Sequence, residues 1–221
     1  LGGVISGANS LTKTGIGTLT LSGNNTFSGG LIVNAGVVSA TTSANALGAD
    51  GVTLGDTGGS ATVTLQGASS TYANPITVRS GSSGTVKIRG NTGSTILSGG
   101  ITLNKALSLV SGATELRVLT TGMTGSSLLT IARDAGTGFV NLNADNTAFT
   151  GGVSVDSGIL RLSHVSSLTS ANNVAVPSGA QLEMNANVTI GGLSGAGTVS
   201  RPNTAAYKLT ISPASGAYTF S

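Results

Sequence analysis

The sequence predicts an all-β chain wound as a single parallel β-helix of roughly nine or ten turns. Three observations carry this. Short apolar–polar–apolar triplets recur along all 221 residues, the period-2 pattern of strands with one buried face. A long motif occurs twice. Glycine numbers 35 and charged residues only 8%, against a usual charged share of about a quarter.

The triplets come in order as Leu19-Thr20-Leu21, Val52-Thr53-Leu54, Val63-Thr64-Leu65, Ile76-Thr77-Val78, Val86-Lys87-Ile88, Ile101-Thr102-Leu103, Leu107-Ser108-Leu109 and Leu116-Arg117-Val118. The second half adds Leu129-Thr130-Ile131, Val140-Asn141-Leu142, Val153-Ser154-Val155, Leu160-Arg161-Leu162, Val174-Ala175-Val176, Leu182-Glu183-Met184, Val188-Thr189-Ile190 and Leu209-Thr210-Ile211. No window of helical length repeats its apolar residues every ~3.6 positions, and the charged residues that cover a helix's wet face are scarce. Short turns are expected near 44–47 or 165–168.

An antiparallel sandwich has similar strand spacing, but it uses two-residue hairpin turns and aromatic residues between its sheets. Here aromatics are 3% and tryptophan is absent, and connections such as 22–30 exceed a hairpin turn. A coil of ~20–24 residues per turn, with a narrow core of Val, Leu and Ile, accounts for both. Successive turns would stack at ~4.8 Å. Asparagine tolerates corner conformations, and stacked asparagines can hydrogen-bond along the coil.

The motif spans 13–38 and returns at 134–160. Gly29-Gly30 recurs as Gly151-Gly152 and Gly36 as Gly158, both at an offset of 122 (151 − 29). Gly17 recurs as Gly138 at an offset of 121 (138 − 17), so one residue near Ala148 is inserted between these anchors. The glycines Gly15, Gly17, Gly23, Gly29, Gly30, Gly36, Gly136, Gly138, Gly151, Gly152 and Gly158 are read as repeat corners, where positive φ turns the chain from face to face. The copies, near 11–40 and 132–162, are read within one continuous β-helix over 1–221. Thr219-Phe220-Ser221 looks like the start of a further Thr26-Phe27-Ser28, so the pattern is expected to continue in a longer parent chain.

Composition narrows the function classes. The net charge of +3 comes from few carboxylates rather than a basic patch, and few aromatics are present to stack bases, so there is no nucleic-acid footprint. With no cysteine there are no disulfides or thiolate metal sites. No apolar run approaches the ~20 residues of a spanning helix, and the first residues lack the basic region of a signal peptide.

Leu11-Thr12-Lys13-Thr14-Gly15-Ile16-Gly17-Thr18-Leu19-Thr20-Leu21-Ser22-Gly23, then Asn25-Thr26-Phe27-Ser28-Gly29-Gly30 and Val33-Asn34-Ala35-Gly36, resemble the autotransporter-associated β-strand repeat of bacterial passenger regions. The second copy departs from it, with Asp134 for Lys13, Asn143 for Ser22, Ala144 for Gly23 and the insertion at Ala148. A looser echo lies at 192–199. The resemblance implies a right-handed β-helix, export to the extracellular space or bacterial cell surface, and a structural role in passenger display. It implies no catalytic residue and no cofactor.

The chemistry of the remaining residues agrees. The seven acids are Asp50, Asp56, Glu115, Asp134, Asp145, Asp156 and Glu183, read as solvated corner residues. Asp134 and Asp156 lie 22 apart (156 − 134), about one turn, so they are candidates for stacking into an ion or glycan site, with Arg133 a neighbour able to neutralise Asp134. His164, the only histidine, has no second ligand or triad partner and reads as an inert loop residue. Tyr72, Tyr207 and Tyr218 are scattered and define no binding patch. The expected function is a non-enzymatic stalk or filament segment whose partners are adjoining turns of the parent chain or end-to-end copies of itself. The alternative is an adhesin or carbohydrate-active β-helix that binds surface glycans on a lateral face.

Overall fold

The computed structural model describes residues 1–134 and 136–213, with the backbone alone at Leu119. Tyr218 and Thr219-Phe220-Ser221 lie outside the described residues. Every strand pairing in the described residues is parallel, and no helix occurs among them. The fold is a parallel β-helix of about nine turns, with the second of its three faces carrying nine stacked strands.

The first face stacks Leu11–Lys13, Leu31–Val33, Val52–Leu54 and Ile76–Val78, then residues 101–103 and 123–125. The second begins with Thr18–Leu21, Gly36–Ala40, Val63–Gly67 and Val86–Gly90 and ends at Gly192–Ser194. The third acquires regular strands only from Ser70–Tyr72 onward, continuing through residues 95–97 and 116–118 to Val140–Asp145, Gly158–Leu162, Ala180–Met184 and Thr198–Ser200. In earlier turns that face is held by single bonds, such as Thr26 N–H to Ile5 C=O at 2.9 Å and Ala49 N–H to Phe27 C=O at 2.9 Å. Thr95–Leu103 and Leu116–Gly125 each run from the third face into the first. They therefore join two faces into one hydrogen-bonded sheet.

Paired positions give the length of each turn. On the first face Leu11↔Leu31 is 20 residues and Ile76↔Ile101 is 25. On the second, Val37↔Thr64 is 27. The surplus in that turn follows Gly55, before Val63–Gly67. Corners absorb the variation, while the strands keep their register.

Register makes the core continuous. The outer two residues of nearly every triplet are buried, as in Val52 (1% exposed) and Leu54 (0%). Their stacked side chains form one apolar cluster from Leu21 to Leu193. Burying each such side chain contributes about 1.5–3 kcal/mol. The largest residues that fit are Tyr72, Phe27 and Phe149. The Tyr72 hydroxyl donates to Ala40 C=O at 3.1 Å, and burial pushes its phenol above the usual range.

The bend between third and first faces in Leu116–Gly125 is made by Thr120 at φ 71°, the only non-glycine positive φ among the described residues. The preceding turn bends at Gly100, φ 83°. A β-branched residue is strained in this region. Thr120→Gly is therefore expected to stabilise the protein by about 1 kcal/mol, read as a higher midpoint in urea with unchanged slope. Val155 is fully buried. Val155→Asp places an unpaired charge in the column and is expected to cost several kcal/mol. Wild-type melting of that variant would overturn the inward placement.

Candidate functional site

The repeat copies are the natural place to look for a site, and the structure shows what they build. The first copy starts on the second face, with Leu19, Thr20 and Leu21, and crosses the third to reach Leu31–Val33 on the first. The second starts on the third face, with Val140, Asn141 and Leu142, and reaches Val153–Val155 on the second. Equivalent residues are thus rotated by one face around the axis. The motif specifies a strand–corner–strand path, and more than one face can host it.

The asparagine of the shared Asn-Thr pair behaves identically in both settings. Asn25 Oδ1 accepts Ile5 N–H at 2.9 Å, and its Nδ2 donates to Ala46 C=O at 2.7 Å. Asn146 Oδ1 accepts Met123 N–H at 2.7 Å, and its Nδ2 donates to Ser167 C=O at 2.9 Å. Each buried amide pairs a donor one turn below and an acceptor one turn above, satisfying main-chain groups that have no ladder partner on that side. Asn74 and Asn172 make a related clasp, donating to two carbonyls of the preceding turn each. Lys13, 9% exposed, also serves the backbone, donating to Thr14 C=O at 2.8 Å and Ala35 C=O at 3.2 Å.

The eleven repeat glycines sort into three kinds. Gly15, Gly30, Gly36, Gly136 and Gly158 have φ between 69° and 80°. Gly36 also lies so close to its neighbour turn that a Cβ would come within 2.5 Å of Gly17 C=O oxygen. At Gly23, Gly29, Gly138 and Gly151 the φ is ordinary, and close stacking is the constraint. A Cβ on Gly151 would sit 2.0 Å from Ser127 C=O oxygen. At Gly17 there is open space, and at Gly152 only ordinary contact with Leu128 at 3.7 Å.

The acids are dispersed. The pairing Ile131↔Val155 sets Asp156 level with Ala132, two residues short of Asp134, so the two do not stack. Asp134 pairs with Arg89 from two turns below, rather than with the adjacent Arg133, because Arg89 points outward on the same face. Asp156 accepts Ser154 Oγ–H. Asp145 accepts Thr147 N–H at 3.0 Å, which holds its carboxyl below the usual range. Two acids depart from the solvated reading: Glu115 and Glu183 are 8% and 7% exposed. They lie in an ionic row on the outer side of the third face, where Arg117, Asn141, Arg161 and Glu183 stack in register. Arg117 grips Glu115 through two bonds of 2.9 and 2.8 Å, and Asn141 adds a third at 2.7 Å. Arg161 pairs with Glu183 at 2.7 Å and lies 3.8 Å over the Phe139 ring. Each carboxylate is covered by its own partners. His164 Nδ1 accepts Ser166 N–H at 3.1 Å within a turn. Among the described residues no three His, Cys, Asp or Glu converge on a metal position, and no helix is long and apolar enough to cross a membrane.

The geometry is that of a repeat-built coil, and comparison with known families agrees. The model of the passenger-associated-transport-repeat matches residues 11–40, 58–82 and 134–162. Three stretches of the chain thus match this repeat, and together with the β-helix they fit a passenger-like scaffold. No curated protein and no solved structure matches the chain. The middle copy is hard to see in the sequence, because Asn74-Pro75 stand where the other copies have Gly-Gly and Tyr72 stands where they have phenylalanine. Its signal was Val63-Thr64-Leu65-Gln66-Gly67 followed by Ile76-Thr77-Val78 and Gly81, which match Leu19–Gly23, Leu31–Val33 and Gly36 in order.

Asn146→Ala would leave Met123 N–H and Ser167 C=O buried and unpaired. It is expected to cost about 1–3 kcal/mol for each group, whereas Asn24→Ala, at an exposed position, should change stability by less than about 0.5 kcal/mol. Denaturant titration of the two variants checks this, and equal midpoints would refute the clasp.

Proposed function

We propose that the chain is a non-enzymatic extracellular scaffold, a β-helical stalk or filament segment of a surface-displayed or secreted bacterial protein. The observation that carries this reading is the repeat itself. Its recurring positions are inward apolar residues, corner glycines and a buried asparagine clasp. Gly17 and Gly152 apart, they serve turning or stacking, and none offers a nucleophile, an acid–base pair or a metal ligand.

The mechanism is mechanical. A column of buried Val, Leu and Ile runs through in-register parallel ladders, so bending the rod would break many main-chain bonds together. Eight intervals between the nine strands of the second face make about 38 Å of rod at ~4.8 Å each. Leu11–Lys13 is a terminal strand of its sheet, and an open ladder edge invites pairing. Adjoining turns of the same parent chain, or an end-to-end copy, would cover it. The matched repeat supports export to the surface.

Deleting residues 52–75 removes one whole register unit, since Val52 pairs with Ile76. With the chain fused between a tip epitope and a translocating outer-membrane barrel, that deletion should leave surface display near the wild-type level. Deleting 52–62 takes out only part of a turn, brings the wrong faces together and should abolish display. Equal display of both, scored by antibody on intact cells, would sink the scaffold reading.

A further inference from the structure

A short trough of about 300 Å³ runs parallel to the coil axis, outside the corner between the second and third faces. That volume is at the lower end for small-molecule sites. It follows the corner where Ala40, Gly67 and Gly90 stack at one level of three successive turns and face the core, so the main chain itself forms its bottom. At Gly67 the main chain packs directly on the core: a Cβ there would lie 2.5 Å from the buried Thr95 Cγ2.

One wall is the outward column Ser39, Gln66 and Arg89, stacked in register. The other is the exposed hydroxyl row Thr42, Ser69 and Thr92, and Asn91 stands at the upper end. Arg89 fixes the chemistry. A guanidinium only donates, and its Nη1 donates to Gln66 Oε1 at 3.2 Å and Asn91 Oδ1 at 2.8 Å. Both amides must therefore give Arg89 their oxygens and turn their NH₂ groups elsewhere. Gln66 Nε2 makes only a long contact of 3.5 Å to Ser39 Oγ. The charge of Arg89 is taken up by Asp134. The result is a bottom of main chain with Ala68 beside it, flanked by two oriented amide donors and a row of hydroxyls, with the charge of Arg89 compensated.

We propose that this trough binds a neutral, unbranched glycan segment lying along the coil axis. The Gln66 and Asn91 amides donate to sugar oxygens, Thr42 and Ser69, whose own protons go to Ser22 and Thr92 C=O, accept from sugar hydroxyls, and the half-buried Ala68 takes a C–H face of the ring. Arg89 is the positioning residue, which holds both amides with their donors free. An anionic ligand would meet no free cation here, because Arg89 is already paired. The proposal is separate from the scaffold role: a coil that binds no sugar still holds a tip.

The test is a nitrogen-15 titration of the intact chain with neutral cellohexaose, maltohexaose and mannohexaose, and with an oligogalacturonate as charged comparator. Saturable shifts of the Gln66 and Asn91 side-chain amides with at least one neutral hexaose, at roughly millimolar or lower concentration, are the expected result. Gln66→Ala, Asn91→Ala and the steric block Ser69→Trp should each weaken binding by about tenfold or more. Arg89→Lys, which keeps the charge and loses the fork, should weaken it with unchanged melting, and Thr53→Ala on the first face should not affect it. Ser69 is exposed, so its variant reads the trough even if an inner variant unfolds. Absence of saturable shifts with all three hexaoses, full affinity in Ser69→Trp, or preference for the oligogalacturonate would each overturn the proposal.

Discussion

The in-register stacking of parallel turns is the constraint on which everything else rests. Residue Val52 sits above Leu31 and below Ile76, and the same inward parity holds in each. A slip of one residue would turn every inward side chain of a strand to solvent. Each inward residue in a narrow core contacts its counterparts above and below, so stability is close to a sum of neighbour terms along the rod. This explains why turns of 20 and 27 residues coexist. The corner has freedom that the strand lacks.

Close stacking sets a second requirement, that the corners pay no steric or hydrogen-bonding penalty. Where two turns approach main chain to main chain, only glycine fits, as at Gly29 and Gly151. Where the turn leaves N–H and C=O groups without a ladder partner, a buried amide supplies both halves of the missing pair, as Asn25 and Asn146 do. The two copies do this on different faces of the coil. The second and third faces are therefore equivalent starting points for the same local path.

The strands and the fold class were legible because period-2 alternation is a local signal. Of the sixteen triplets, fifteen lie wholly in strands, and only Val176 of Val174-Ala175-Val176 falls just outside. Leu31-Ile32-Val33 shows no alternation and was visible only through the motif around it. The roles of individual corners were less legible. Gly151 and Gly158 look alike in the sequence, yet Gly151 answers to contact alone and Gly158 to φ as well. That difference depends on which main-chain atoms of the neighbouring turn come near. Asp134 and Asp156 illustrate the same limit. Their spacing equals a usual turn, but this turn takes 24 residues between paired positions (155 − 131), so 22 leaves them out of line. The burial of Glu115 and Glu183 depends on arginines one turn or two residues away, which spacing alone does not select.

Interior and exterior obey different rules, and this locates where function can be added. Inward positions and corners are fixed by stacking, so they carry little information about a ligand. Outward positions are one per alternate residue, stacked every ~4.8 Å, and nothing in the coil dictates their chemistry. On the third face they became an ionic row in which each carboxylate is closed off by arginine and amide. On the corner beside the second face, the main chain of successive turns lines a concavity, and one arginine oriented two amides beside it. The same regular stack thus yields an inert surface where charges pair along the column, and a receptive one where the pairing leaves donors unspent.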